Sequence, residues 1–283
     1  VRLSPRRIDA PTAAVVAAVG ATAAAAFAGL LLWGDGMPGH SDSASAADTA
    51  TSWPATLLFC GGWLLMTVAM MLPTSLPLFV AVRRVAGAGR DGRFVLPLVV
   101  VGYLAVWAVA GIAARAFSLG VAPLLDATRA GTAGHAGMPG MNPAMPGMGA
   151  TAPGLDGSRL AAAAILVVAG AYQLSPLALR CLRACRSPFG FLARGWTGRA
   201  DVHRQAVRIG VAYGRSCLGC CAGLMAVLLV VGMANPGWML ALGAVMAVQK
   251  NAAWGARLAL ASGCLLIAAG VVLGLSSATL TGG

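Results

Sequence analysis

Long uninterrupted apolar runs alternate with short breaks that are rich either in arginine or in glycine and proline. The runs cover residues 13–33, 53–82, 94–114, 158–179, 209–233, 237–249 and 258–275. Most approach or exceed the ~20 residues that an α-helix, rising ~1.5 Å per residue, needs to cross a hydrocarbon core of ~30 Å. Polar residues do not alternate with apolar ones inside the runs, which argues for spanning helices and against barrel strands. The pattern predicts an all-α, polytopic transmembrane helix bundle of about seven spans, with residues 1–283 forming a single integral membrane domain. Pro73 and Pro77 lie deep in the second run, where missing N–H donors weaken the local helix.

Charge orients this bundle. Only 10% of the 283 residues are charged against 59% hydrophobic, too little polar surface to cover a water-soluble globule of this length. The net charge of +12 suggests nucleic acid at first sight, but the arginines lie between the apolar runs, where they set topology and meet anionic headgroups. Of the 20 Lys and Arg, 16 fall in the N-terminal flank, around Arg83 to Arg93, in the basic segment 180–208, and at Lys250 and Arg257. By the positive-inside rule these are cytoplasmic. The N-terminus is then inside and the C-terminus outside, with 34–52 and 115–157 as outer loops. The partner this implies is a lipid bilayer, with no nucleic acid.

Candidate chemistry is concentrated in sulfur. Cys217, Cys220 and Cys221 lie within five positions of the fifth run, and with Met225 they share one helix face next to Tyr213. Soft thiolate and thioether ligands suit Cu(I), and thiolates also suit zinc. The competing reading is that these are small apolar residues packed between helices. Met66 and Met70 of the second run fall at a similar membrane depth, so spans two and five can form one site together. Cys181 and Cys185, one helical turn apart among Arg180, Arg183 and Arg186, lie at the inner face. In the outer loop 115–157, His135 precedes Met138, Met141, Met145 and Met148, where glycine and proline forbid regular structure and thioethers gain no core packing. A loop of that kind is suited to capturing Cu(I), with Met37 and His40 nearby in the other outer loop.

Other chemistries have little to work with. The chain has eight aspartates and no glutamate, three scattered histidines, no phosphate-binding loop and no nucleophile–base–acid set, so an enzyme is not expected. Seven cysteines, an odd number lying mostly in spans or at their inner ends, do not make a disulfide framework, and a thiol-disulfide oxidoreductase is a minor alternative.

Several landmarks resemble a bacterial family described as predicted metal-binding integral membrane proteins. They are Trp63, Met66, Ala69-Met70-Met71 and Pro73; Tyr172-Gln173-Leu174-Ser175-Pro176; Cys181 and Cys185-Arg186-Ser187-Pro188; Cys217-Leu218-Gly219-Cys220-Cys221; and Met233, Asn235 and Trp238-Met239. The resemblance implies a metal site in a bacterial cytoplasmic membrane. The family pattern has His, Trp and Glu where this chain has Tyr213, Ala222 and Gln249. The expectation is therefore a membrane protein that binds and handles a soft metal, copper before zinc, by capture, relay or transport. The alternative is a non-catalytic accessory or assembly subunit of a larger membrane complex, for example a copper-dependent metalloenzyme.

Overall fold

The computed structural model describes residues 10–34, 53–86, 92–133, 155–196, 201–231 and 236–281. Among these residues ten helices follow one another: α1 (Ala10–Gly34), α2 (Trp53–Thr74), α3 (Leu76–Ala86), α4 (Gly92–Ala133), α5 (Leu155–Leu174), α6 (Pro176–Cys185), α7 (Pro188–Gly195), α8 (Val202–Val231), α9 (Pro236–Asn251) and α10 (Gly255–Thr281). No strand occurs among them.

Among the described residues, five helices are long and apolar enough to cross a membrane: Thr12–Leu31, Trp53–Thr74, Phe94–Phe117, Val202–Leu228 and Gly255–Ser276. A sixth arises if α5 and α6 count as one span bent by 61°. Their outward faces carry large apolar side chains, with Val109 67%, Leu265 69% and Val272 66% exposed, as suits a lipid environment. Two of the expected spans are broken, and a third, 237–249, belongs to a helix of only 16 residues. The basic segment 180–208 is largely helical, containing most of α6, all of α7 and the start of α8. Helix α4 runs on through Ala133, well into the segment expected to be an outer loop.

Each break has a local cause, and each places the site. At Ser175-Pro176 the residue before proline is driven out of the α region, to φ −66° and ψ 149°, and the Ser175 hydroxyl caps α6 by accepting from the Ala178 N–H at 3.2 Å. At Ser75 the bond pattern tightens, with the Ser75 N–H donating to the Leu72 carbonyl. The Met71 carbonyl accepts instead from the hydroxyls of Thr74 (2.9 Å) and Ser75 (3.0 Å). Pro73 and Pro77 flank this turn and lack the donors a continuous helix would need.

Helix α8 is the hub, packed by α4, α5, α6, α7 and α9. Glycines let its backbone approach its neighbours. A Cβ at Gly210 would overlap the Val99 carbonyl of α4, and one at Gly223 would stand 2.8 Å from the Ala169 carbonyl of α5. Small residues at such crossings replace hydrophobic burial with close backbone packing, the usual device of helices in lipid. The core that results is lined by sulfur and aromatic side chains and contains Met66, Met71, Tyr103, Trp107, Tyr213 and Cys217.

Candidate metal centre

Cys217, Cys220 and Cys221 are all at least 97% buried on the stripe of α8 that faces the bundle interior. The bend at Ser175 turns α6 against this stripe and delivers a fourth thiol. Cys185 Sγ stands 3.8 Å from Cys220 Sγ, and Cys220 Sγ stands 3.5 Å from Cys221 Sγ. Two sulfurs bound ~2.3 Å from one ion stand roughly 3.8–4.0 Å apart, so each pair is spaced to share a metal after small side-chain rotations. Among the described residues no three His, Cys, Asp or Glu side chains already surround one point, so the four cysteines form a chain of neighbours rather than a closed shell. All seven cysteines are free thiols.

Lys250, near the end of α9, points into the same core and is 4% exposed. Its ammonium donates to Cys217 Sγ at 3.0 Å and to Thr74 Oγ1 at 3.2 Å, and lies 3.6 Å from Met71 Sδ. The Tyr103 hydroxyl of α4 is 3.1 Å from the same Cys217 sulfur. A buried ammonium needs an opposite charge close by, and no carboxylate is among these partners. Cu(I) held by two thiolates carries one net negative charge, which a single ammonium neutralises. The donor set is wholly soft, and the local charge balance suits a monovalent ion bound by thiolates.

The geometry around the cluster is held by polar contacts between helices. The Tyr172 hydroxyl donates to the Gly219 carbonyl at 2.7 Å. Gln173 Nε2 donates to Gln249 Oε1 at 3.2 Å, and Gln249 Nε2 donates to Ser262 Oγ at 3.0 Å. Arg186 donates to the carbonyls of Gln249 and Ala253, at 3.3 and 2.9 Å. A guanidinium on the last carbonyls of α9 opposes the negative end of its dipole and fixes the helix end that carries Lys250.

The structure brings together four of the cysteines expected from the sequence, Cys185, Cys217, Cys220 and Cys221, and seats Cys181 beside them against Gly219. From α2 the sulfur that reaches the cluster's ammonium is Met71. Met70 lies on another side of the helix, against Gly243 of α9, and Met66 is buried in the general core. His135, Met138, Met141, Met145 and Met148 lie outside the described residues, as do Met37 and His40. Gln249 is occupied by Gln173 and Ser262. Tyr213 packs tilted against Tyr103 and edge-on against Phe191, at ring-centroid distances of 6.0 and 5.4 Å. Sequence reasoning missed Lys250, Met71 and Tyr103. The one available signal was a lysine ending an apolar run in a chain whose other 19 basic residues are all arginine.

A helical chain with several apolar candidate spans is consistent with a membrane protein, and its buried cluster of thiols beside one ammonium offers the donor type that soft metals take. The family model PpoB2, copper chaperone, matches residues 60–141 and 140–273, and the chain belongs to that family. The family supports copper handling and does not speak for zinc. No curated protein and no solved structure matches the chain.

Proposed function

We propose that this protein is a non-catalytic copper chaperone of a bacterial cytoplasmic membrane, which holds Cu(I) at Cys185, Cys217, Cys220 and Cys221 and passes it on. The observation that carries this reading is the gathering of four thiols from α6 and α8 in one buried cluster, with Cys217 among them held by the Lys250 ammonium, inside a chain of a copper-chaperone family. Cu(I) moves between such thiolates by ligand exchange without a change of oxidation state, so the neighbouring sulfurs act as successive holding positions. Lys250 offsets the negative charge that thiolate ligands bring into an apolar bundle, and balances it fully when two thiolates hold the ion. The outer segment with His135, Met138, Met141, Met145 and Met148 is the capture site on the other side of the membrane. In this reading the bundle has seven spans, and the recipient is a copper-dependent protein of the same membrane with which it associates.

Metal analysis of the purified protein beside a Cys217→Ser, Cys220→Ser, Cys221→Ser variant tests the reading. Copper should be bound after loading of the parent under reducing conditions and lost from the variant. Equal copper in both would sink the cluster as its site.

A further inference from the structure

A groove of about 1080 Å³ runs along the outside of α8, walled by α6 and α7. Three arginines line it, Arg194, Arg208 and Arg215, all exposed, and no carboxylate is among its lining residues. Arg208 and Arg215 are seven residues apart and therefore on one face of α8, about 10.5 Å apart along its axis. Arg194 rests on the Phe191 ring, 5.7 Å from its centroid. One cysteine lines the groove, the partly exposed Cys181.

Cys181 also lies against the helix that carries the buried cluster. A Cβ at Gly219 would stand 2.6 Å from Cys181 Sγ, so the missing side chain at Gly219 is what seats this sulfur on the α8 backbone, one residue before Cys220. One turn further along α6, Cys185 touches Cys220 at 3.8 Å. Sulfur therefore continues from the groove to the buried cluster with no interruption longer than a helical turn. The volume is near the upper limit of small-molecule sites, ~1,000 Å³, which suits a ligand of tripeptide size and not a folded domain.

Resting on the chaperone reading above, we propose that this groove docks a small carboxylate-bearing thiol that carries Cu(I), and that Cys181 exchanges the ion between that carrier and the buried cysteines. The arginines take the carboxylates, and the thiol end of the carrier lies over Cys181. The exchange balances without an oxidant: a Cu–S bond to the carrier breaks as one to Cys181 forms, the Cys181 proton passes to the departing carrier sulfur, and copper stays Cu(I).

Two measurements on the full chain in lipid nanodiscs test this. First, S-methylglutathione, which has the carboxylates but no free thiol, should protect Cys181 from iodoacetamide, and the combined Arg194→Gln, Arg208→Gln, Arg215→Gln variant should lose the protection. Second, loading from Cu(I)–glutathione should slow by about tenfold or more in that variant, as expected when electrostatic steering is removed, while loading from acetonitrile-solvated Cu(I) is unchanged. Cys181→Ser should slow both routes and leave the final copper stoichiometry as in the parent. No protection by S-methylglutathione, or protection that requires phosphatidylglycerol and vanishes in phosphatidylcholine, would overturn the proposal, the latter by assigning the groove to an anionic lipid. A parent that loads normally and variants that load as fast would remove the port alone. A parent that binds no copper would remove the chaperone reading and the port with it.

Discussion

Lys250 Nζ and Cys217 Sγ lie 3.0 Å apart in the interior of the bundle, joining the end of α9 to the middle of α8. A metal ion that displaces the Cys217 proton leaves a thiolate beside this ammonium, and the two opposite charges then attract within a low-dielectric interior. The pair thus sets the charge the centre accepts. Lys250→Leu removes the charge and adds no thioether that would itself bind Cu(I). We expect Cu(I) affinity to fall by about tenfold to a hundredfold, roughly 1.4–2.8 kcal/mol, in competition with a chromogenic Cu(I) chelator. The metal-free protein should melt at the same temperature or higher, because a buried ammonium is replaced by an apolar chain. Unchanged affinity would show that Lys250 is structural only.

Much of this arrangement was legible in the sequence. The spacing of Cys217, Cys220 and Cys221 fixes their common face through the helical period alone, and Cys181 and Cys185 follow by the same argument. What was not legible depends on tertiary phase. Lys250 was read as the flank of a span because composition weighs a lysine by its charge, whereas the Arg186 cap and the hydroxyl of Thr74 decide that it turns inward. The choice between Met70 and Met71 depends on the rotation of α2 above its break at Ser75, about 100° per residue, and no hydropathy pattern reports that angle. The bend at Ser175 was visible as Ser-Pro, but its 61° and its consequence, the meeting of Cys185 with Cys220, required the fold.

The methionine assignment is open to a direct contrast. Met71→Leu keeps volume and removes the one thioether within 3.6 Å of the Lys250 ammonium. Volume-conserving swaps of this kind cost less than ~1.5 kcal/mol in stability. Copper affinity should drop severalfold in Met71→Leu and be unaffected in Met66→Leu and Met70→Leu, measured with the same chelator. The reverse order would restore the face of α2 that the sequence favoured.

Glycine at the α4–α8 crossing is required by contact rather than by backbone angle. A methyl at Gly210 would overlap the Val99 carbonyl, an atom of the α4 backbone that cannot rotate away. Gly210→Ala should therefore destabilise by about 1–3 kcal/mol, as overpacking does. Gly20 in α1 has nothing within 4 Å of an added Cβ, so Gly20→Ala should be neutral or gain up to ~1 kcal/mol from helix propensity. Thermal unfolding of the two variants in one detergent checks the sign of both.

The number of crossings turns on α9, whose 16 residues span about 24 Å, short of a ~30 Å hydrocarbon core. Its depth can be read from its contacts. Lys250 lies fourteen residues after Pro236, and its partner Cys217 lies fourteen residues before Val231 at the end of α8. The two helices therefore reach the same level, about 21 Å along each from Val231 and Pro236. Helix α10, which is long enough to span, starts from that level only four residues after α9 ends. On the seven-span reading proposed above, α9 returns the chain across most of the membrane, and local thinning of the bilayer around Trp238, half exposed near its other end, makes up the deficit. Tags placed before α1 and after α10 should then be accessible from opposite sides, the first from the cytoplasm, in protease protection of intact spheroplasts. Access to both tags from one side would make α9 re-entrant and leave six crossings.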